Sequence, residues 1–133
     1  MTDELALVGD TLGASLTVAD LPASVAWYCD VLGFTVDRRH EREGRLFAAS
    51  LRAGPVPILL TQDNGAKGVE RAKGIGFSLQ ITTMQDADVL AARVRSHGGH
   101  LETEPMTAPH GPRIFRLRDP DGFLFTISGT HAP

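Results

Sequence analysis

Five histidines, one cysteine and a cluster of arginines near the C-terminal end are the side chains here whose types could do chemistry. Histidine titrates nearest neutrality and ligates metals, so each is a candidate acid, base or ligand. His97 and His100 flank Gly98-Gly99 at an expected helix end, where the helix dipole favours a cation, and a structural or exposed role is expected of both. His131 falls in an expected frayed tail. His40 stands among Arg38, Arg39, Glu41, Arg42 and Glu43 and reads as part of a solvated hairpin turn. His110 precedes Gly111-Pro112 in an expected loop from Pro105 to Pro112. Cys29 lies near the C-terminal end of a helix, which disfavours a thiolate, so packing is its expected role. Arg113, Arg116 and Arg118 sit on a strand-like stretch whose register the pattern leaves open, and are expected to face mostly solvent. No Ser-centred nucleophile elbow, phosphate loop or zinc-type Cys/His spacing occurs. No residue is therefore assigned a catalytic role.

The elements that must position these groups repeat. Ser15-Leu16-Thr17-Val18 alternates polar and apolar as a half-buried strand does. Asp20 supplies an N-cap, Pro22 suits the first helical turn, and Leu21, Val25, Tyr28 and Leu32 form one apolar helix face ended by Gly33. Phe34–Arg39, Arg45–Arg52 and Ile58–Thr61 read as strands, the first two separated by a charged turn from His40 to Gly44. The stretch 63–73 has no apolar periodicity and reads as a linker. A second series follows: the alternating strand Phe77–Ile81, a helical stripe of Ala87, Leu90, Ala91 and Val94 closed by Gly98-Gly99, strand-like runs His100–Thr103 and Arg113–Arg118, a turn at Asp119-Pro120-Asp121-Gly122, and a strand Phe123–Ser128. Ser15 falls on Ser78 at an offset of 63, and Ile58 on Phe125 at an offset of 67. The expectation is an α+β chain of two βαβββ modules in a single domain, module one about 12–62 and module two about 74–128.

Composition bounds the partners. The 133 residues carry 13 basic and 16 acidic side chains, a net charge of −3 with no basic run, which argues against nucleic acid or an anionic membrane surface. One cysteine cannot form an internal disulfide, so a reducing, cytoplasmic setting is expected. The acidic first ten residues do not read as a signal peptide, and no apolar run approaches the roughly 20 residues of a membrane helix.

The run Val18-Ala19-Asp20-Leu21-Pro22-Ala23-Ser24-Val25-Ala26-Trp27-Tyr28, followed by Leu32-Gly33-Phe34, closely resembles the opening signature of the vicinal oxygen chelate superfamily. Glyoxalase I, extradiol dioxygenases and the fosfomycin and bleomycin resistance proteins belong to it. Arg118-Asp119-Pro120-Asp121-Gly122 resembles its second signature, and with the repeat the likeness spans about residues 12–128. The resemblance implies two βαβββ modules forming a curved, barrel-like mixed sheet with a central cleft. In the enzymes that cleft holds a divalent metal on His, Gln or Glu side chains, leaving exchangeable positions for substrate oxygens. The implied ligand positions are Gly13, Leu59, Gly76 and Thr126, and their strand neighbours also lack ligands. Glycine and leucine have no donor, and a lone threonine hydroxyl is a poor ligand for a divalent ion.

If those four positions face the cleft, so by alternation do Ser15, Thr17, Ser78, Gln80, Leu124 and Ser128, while Leu16, Val18, Phe77, Leu79, Phe125 and Ile127 face the helices. The loop of His110 borders the cleft mouth in the family, so His110 joins the expected ligand contacts, with Ser15, Thr17, Leu59, Ser78, Gln80, Leu124 and Thr126. A small-polar and aliphatic cleft without charge suits binding a bulky, mostly neutral molecule better than converting one. The reading is a metal-free, cofactor-free small-molecule binder similar to bleomycin and mitomycin resistance proteins, acting as a homodimer. A lyase, isomerase or dioxygenase with atypical or no metal, and a non-catalytic scaffold, are the alternatives.

Overall fold

The computed structural model describes residues 5–66 and 72–131, so the expected linker lies partly outside the described residues. The elements run β1 (Ala14–Val18), α1 (Leu21–Asp30), β2 (Thr35–Arg42), β3 (Arg45–Ala53), β4 (Val56–Gln62), β5 (Leu79–Asp86), α2 (Ala87–Ser96), β6 (Thr103–Thr107), β7 (Arg113–Arg118) and β8 (Leu124–Thr130). The chain is thus α+β, with the βαβββ order occurring twice. The strands form two four-stranded mixed sheets, ordered β1-β4-β3-β2 and β5-β8-β7-β6, and do not close into a barrel. In each sheet the module's first strand pairs parallel with its last, and the other pairings are antiparallel.

Local chemistry starts each helix. The Asp20 carboxylate accepts the Ala23 N–H at 3.1 Å and the Asp86 carboxylate accepts the Val89 N–H at 3.0 Å, satisfying donors that have no partner within a first turn. α1 buries Leu21, Ser24, Val25 and Tyr28, and α2 buries Ala87, Ala91 and Val94. The apolar ones and Tyr28 join Leu16, Leu60, Phe115, Leu117 and Phe125 in one core cluster shared by both modules. Each fully buried leucine, such as Leu21 or Leu117, contributes about 1.5–3 kcal/mol.

Polar contacts lock the modules to each other. Tyr28 on α1 donates its hydroxyl to Asp119 Oδ2 at 2.6 Å in the turn before β8. The same turn offers Asp121 Oδ1 to the Ala19 N–H at 2.9 Å, and Lys73 joins Asp121 to Asp63. Arg93 on α2 donates to the Val31 carbonyl at 2.7 Å, which places a cation at the C-terminal end of α1. Gly99 makes this approach possible, because a Cβ there would lie 2.6 Å from both Val31 Cγ1 and Val94 Cγ1.

Several boundaries differ from the sequence reading. β2 continues to Arg42, so His40 is a strand residue and not part of a turn. β6 begins at Thr103, not His100, and takes in the first residues of the expected 105–112 loop. Phe77 precedes β5 and is 49% exposed, not core. The repeat register also shifts. Ser15 pairs with Leu59 in sheet one as Gln80 pairs with Thr126 in sheet two, so the first strands correspond at an offset of 65, not 63. A period-two pattern looks the same after a slip of two, and the irregularity between Thr82 and Asp86 hides the extra residues. The counterpart of Gly13 is therefore Ser78, the residue just before β5, rather than Gly76.

Candidate functional site

Each sheet has one face packed on the helices and one open face. Leu16, Val18, Ile58, Leu60, Phe125 and Ile127 are buried on the helix side, while Ser15 and Gln80 are exposed and Thr17, Leu59, Leu124 and Ser128 half-buried on the other. The open faces carry rows of side chains set by strand register.

On sheet one, Ser15, Leu59, Ser50 and Arg38 lie in one row across β1, β4, β3 and β2, and Thr17, Thr61, Ala48 and His40 in the next. The Thr17 and Thr61 hydroxyls are 3.3 Å apart. His40 Nε2 and Ser50 Oγ are within 3.4 Å, a long contact across β2 and β3. Next to them Phe47 is displaced by the irregularity between His40 and Glu41, and the Arg42 guanidinium lies 5.0 Å from its ring centre.

On sheet two, the matching row is Gln80, Thr126, Arg116 and Thr103 across β5, β8, β7 and β6. Thr126 is 6% exposed and its Oγ1 accepts the Arg116 Nε–H at 3.2 Å. Thr103 Oγ1, directly opposite Arg116, is buried without a hydrogen-bond partner among the described residues. Ile114 and Arg118 flank Arg116 on the same face, and Arg118 is occupied by Glu102 and by the Gly122 carbonyl.

The structure therefore brings Ser15, Thr17 and Leu59 together on one sheet and Gln80, Leu124 and Thr126 on the other. Ser78 lies just before β5, where it shares a cavity of about 440 Å³ with Gly13, Ala14, Ile58 and Phe125 between the modules. A second cavity, about 480 Å³, lies among Phe34, Ile81, Arg93, Val94 and Phe115. Neither is lined by Leu59 or Thr126. His110 is exposed at the tip of the β6–β7 turn, closed by hydrogen bonds from Ala108 N–H to Pro112 O and from Gly111 N–H to Ala108 O, beyond the last strand pair Thr107–Arg113.

The expectation of an uncharged site without a base is corrected. Arg38, His40, Arg116 and Arg118 all stand on open faces. The arginines of β7 do not act alike: Arg113 points with Phe115 and Leu117 to the helix side and pairs with Asp88, while Arg116 and Arg118 share the open face with Ile114. Both faces of β7 mix basic and apolar residues, so polarity could not assign them. The pairing with Thr126 does.

Titration is perturbed mainly away from these faces. Burial, then the Asp119 carboxylate, pushes the Tyr28 hydroxyl far above its ordinary range. Burial also pushes Asp119 up, opposed by the donors Tyr28 OH, Phe123 N–H and Asp121 N–H. Burial, with Asp30 nearby, raises the Cys29 thiol, as expected of a packing cysteine. Among the described residues no group of three or more His, Cys, Asp or Glu could hold a metal ion. No helix among them is long and apolar enough to cross a membrane.

The sequence matches the family model of the Glyoxalase/Bleomycin resistance protein/Dioxygenase superfamily over residues 10–127. It is 25% identical over 125 residues to a protein of Synechocystis sp. named as a probable lactoylglutathione lyase, covering 90% of this chain and 94% of that one. It is 27% identical over 116 residues to a catechol-2,3-dioxygenase of Bacillus subtilis, covering 82% of this chain and 37% of that protein. Among solved structures, a variant of glyoxalase I from Zea mays superimposes with a TM-score of 0.74 at 26% identity, over 91% of this chain and 44% of that one. TioX from Micromonospora sp. shares the fold with a TM-score of 0.71 at 23% identity, over 93% of this chain and all of that one.

Proposed function

The chain belongs to the glyoxalase/bleomycin resistance protein/dioxygenase superfamily, and from that premise we propose that it is a small-molecule binding protein that works without a metal, sequestering a bulky ligand on the open faces of its two sheets. One observation carries this reading. The four positions that the family resemblance assigns to metal ligands hold Gly13, Leu59, Thr126 and, in the structural register, Ser78. Two hydroxyls are the most this set offers, and neutral hydroxyls alone do not hold a divalent ion. These residues do not fit the metal of the superfamily's enzymes, and no step is derived through one.

What replaces the ligand set suits binding. Leu59, Leu124 and Ile114 supply apolar surface, and Ser15, Thr17, Gln80 and Thr126 supply sparse polar groups, the mixture that orients a ligand while burying most of it. In this reading a homodimer joins the open face of sheet one in one copy to that of sheet two in the other. Leu12 and Phe77, at corresponding positions ahead of the free edge strands β1 and β5, are 94% and 49% exposed, and a second copy would cover them.

A specific observation keeps the enzyme alternative in view: His40 lies on an open face beside Ser50, where an imidazole could move a proton. Thermal-shift screening with glycopeptide, quinone and polyketide compounds tests the binding reading. A ligand at 100 times its dissociation constant adds about 2.7 kcal/mol. No stabilisation by any compound favours the scaffold, and turnover abolished by His40→Ala favours the enzyme.

A further inference from the structure

We infer that the ligand presents a single carboxylate on an apolar body, and that Arg116 receives it. The inference deepens the proposed binding site and rests on the open face of sheet two being part of it.

Arg116 is half-buried and pairs with no carboxylate among the described residues. The other two arginines of β7, Arg113 and Arg118, each have an acidic partner. Among the described residues Arg116 hydrogen-bonds through Nε to the buried Thr126 hydroxyl, which orients the guanidinium, and its two terminal nitrogens have no hydrogen-bond partner there. A fixed guanidinium with both ends free matches the two oxygens of a carboxylate, and such charge-assisted pairs are stronger than neutral hydrogen bonds.

Thr103 is an independent observation at the same place. Its hydroxyl is buried, has no hydrogen-bond partner among the described residues and lies directly across the strand pair from Arg116, and a buried polar group is normally satisfied. A carboxylate oxygen on Arg116 would give that hydroxyl an acceptor. On the open face of sheet two the surroundings limit the charge to one unit. Arg118, the next cation on this face, is neutralised by Glu102, while Ile114 and Leu124 beside Arg116 are apolar. A dianionic phosphate would be left half-compensated there, whereas an aryl or alkyl carboxylate would place its body on the apolar neighbours.

The test uses the full-length protein, isotope-labelled, titrated in separate arms with 1-naphthoate, its neutral counterpart 1-naphthamide, and inorganic phosphate, and followed by backbone amide shifts. The expected result is that naphthoate moves resonances of Gln80, Thr126 and Arg116 and binds roughly tenfold or more tightly than the amide, the range of one charge-assisted hydrogen bond. Arg116→Gln should abolish the preference, Arg116→Lys should keep part of it, and Arg45→Gln, on the distant β2–β3 turn, should leave it intact. If Arg116→Gln does not fold, the lysine variant carries the comparison. Equal binding of naphthoate and naphthamide at these resonances overturns the carboxylate inference and leaves the binding reading standing. Tighter binding of phosphate than naphthoate also overturns it. No shift on either open face with any probe overturns both.

Discussion

Arg116 on β7 donates its Nε–H to Thr126 on β8 at 3.2 Å, a side-chain bond between direct cross-strand neighbours on the open face of sheet two. Thr126 stands where the superfamily's enzymes are implied to place their last metal ligand. A position that would hold a metal instead holds an arginine in place. Thr126→Val removes the acceptor and leaves the half-buried Arg116 Nε–H without its partner, so it should destabilise by about 1–3 kcal/mol. Naphthoate affinity should fall, because the guanidinium is no longer fixed. Denaturation and titration of one protein sample separate the two effects.

The Tyr28–Asp119 bond gives a pH-dependent prediction. Asp119 is raised above its ordinary value of 3.8 by burial, while the Tyr28 hydroxyl pulls it down. A raised acid contributes full stability below its unfolded value and loses it as pH rises through its folded value. Removing the tyrosine donor raises Asp119 further and deepens that loss. Tyr28→Phe should therefore destabilise by about 1–3 kcal/mol near neutrality, the cost of an unmet buried acceptor. The destabilisation should shrink as the pH is lowered toward 3.8. Urea melts across that range check the sign, and an effect that grows in acid would contradict it.

Gly99 should tolerate no side chain. A Cβ at 2.6 Å from Val31 Cγ1 and Val94 Cγ1, and 3.0 Å from the Val94 carbonyl, must push α1 and α2 apart. Gly99→Ala should destabilise by about 1–3 kcal/mol, as overpacking does. Gly9→Ala serves as the control, because Gly9 is exposed and a Cβ there would meet nothing within 4 Å. Urea melts of the two variants check the difference.

Dimerisation should depend on Leu12 and Phe77. Sedimentation of the native chain is expected to show a dimer, and Leu12→Asp combined with Phe77→Asp should shift it to monomer with the fold intact by circular dichroism. Loss of naphthoate binding in the same variant would fit a site shared between copies.

The division of β1 and β8 into helix-facing and open residues was legible in the sequence, because polar and apolar side chains alternate in Ser15–Val18 and Phe125–Ser128. α1 was legible from Asp20, Pro22 and Gly33, and α2 from the stripe Ala87, Leu90, Ala91 and Val94 closed by Gly98-Gly99. His40 was hidden because β2 is an edge strand with both faces accessible, so Arg38 to Glu43 shows no period-two pattern and looks like a turn. Arg116 was hidden because both faces of β7 mix basic and apolar side chains, and only its pairing with Thr126 says which face it takes. Lateral register between strands distant in sequence is set by packing, and a period-two pattern does not record it.

Native mass spectrometry of protein purified without chelator tests the central claim most directly. The account predicts a dimer whose excess mass is that of a small organic molecule, with no metal increment. A mass carrying one nickel, zinc, manganese or iron ion per cleft would contradict it.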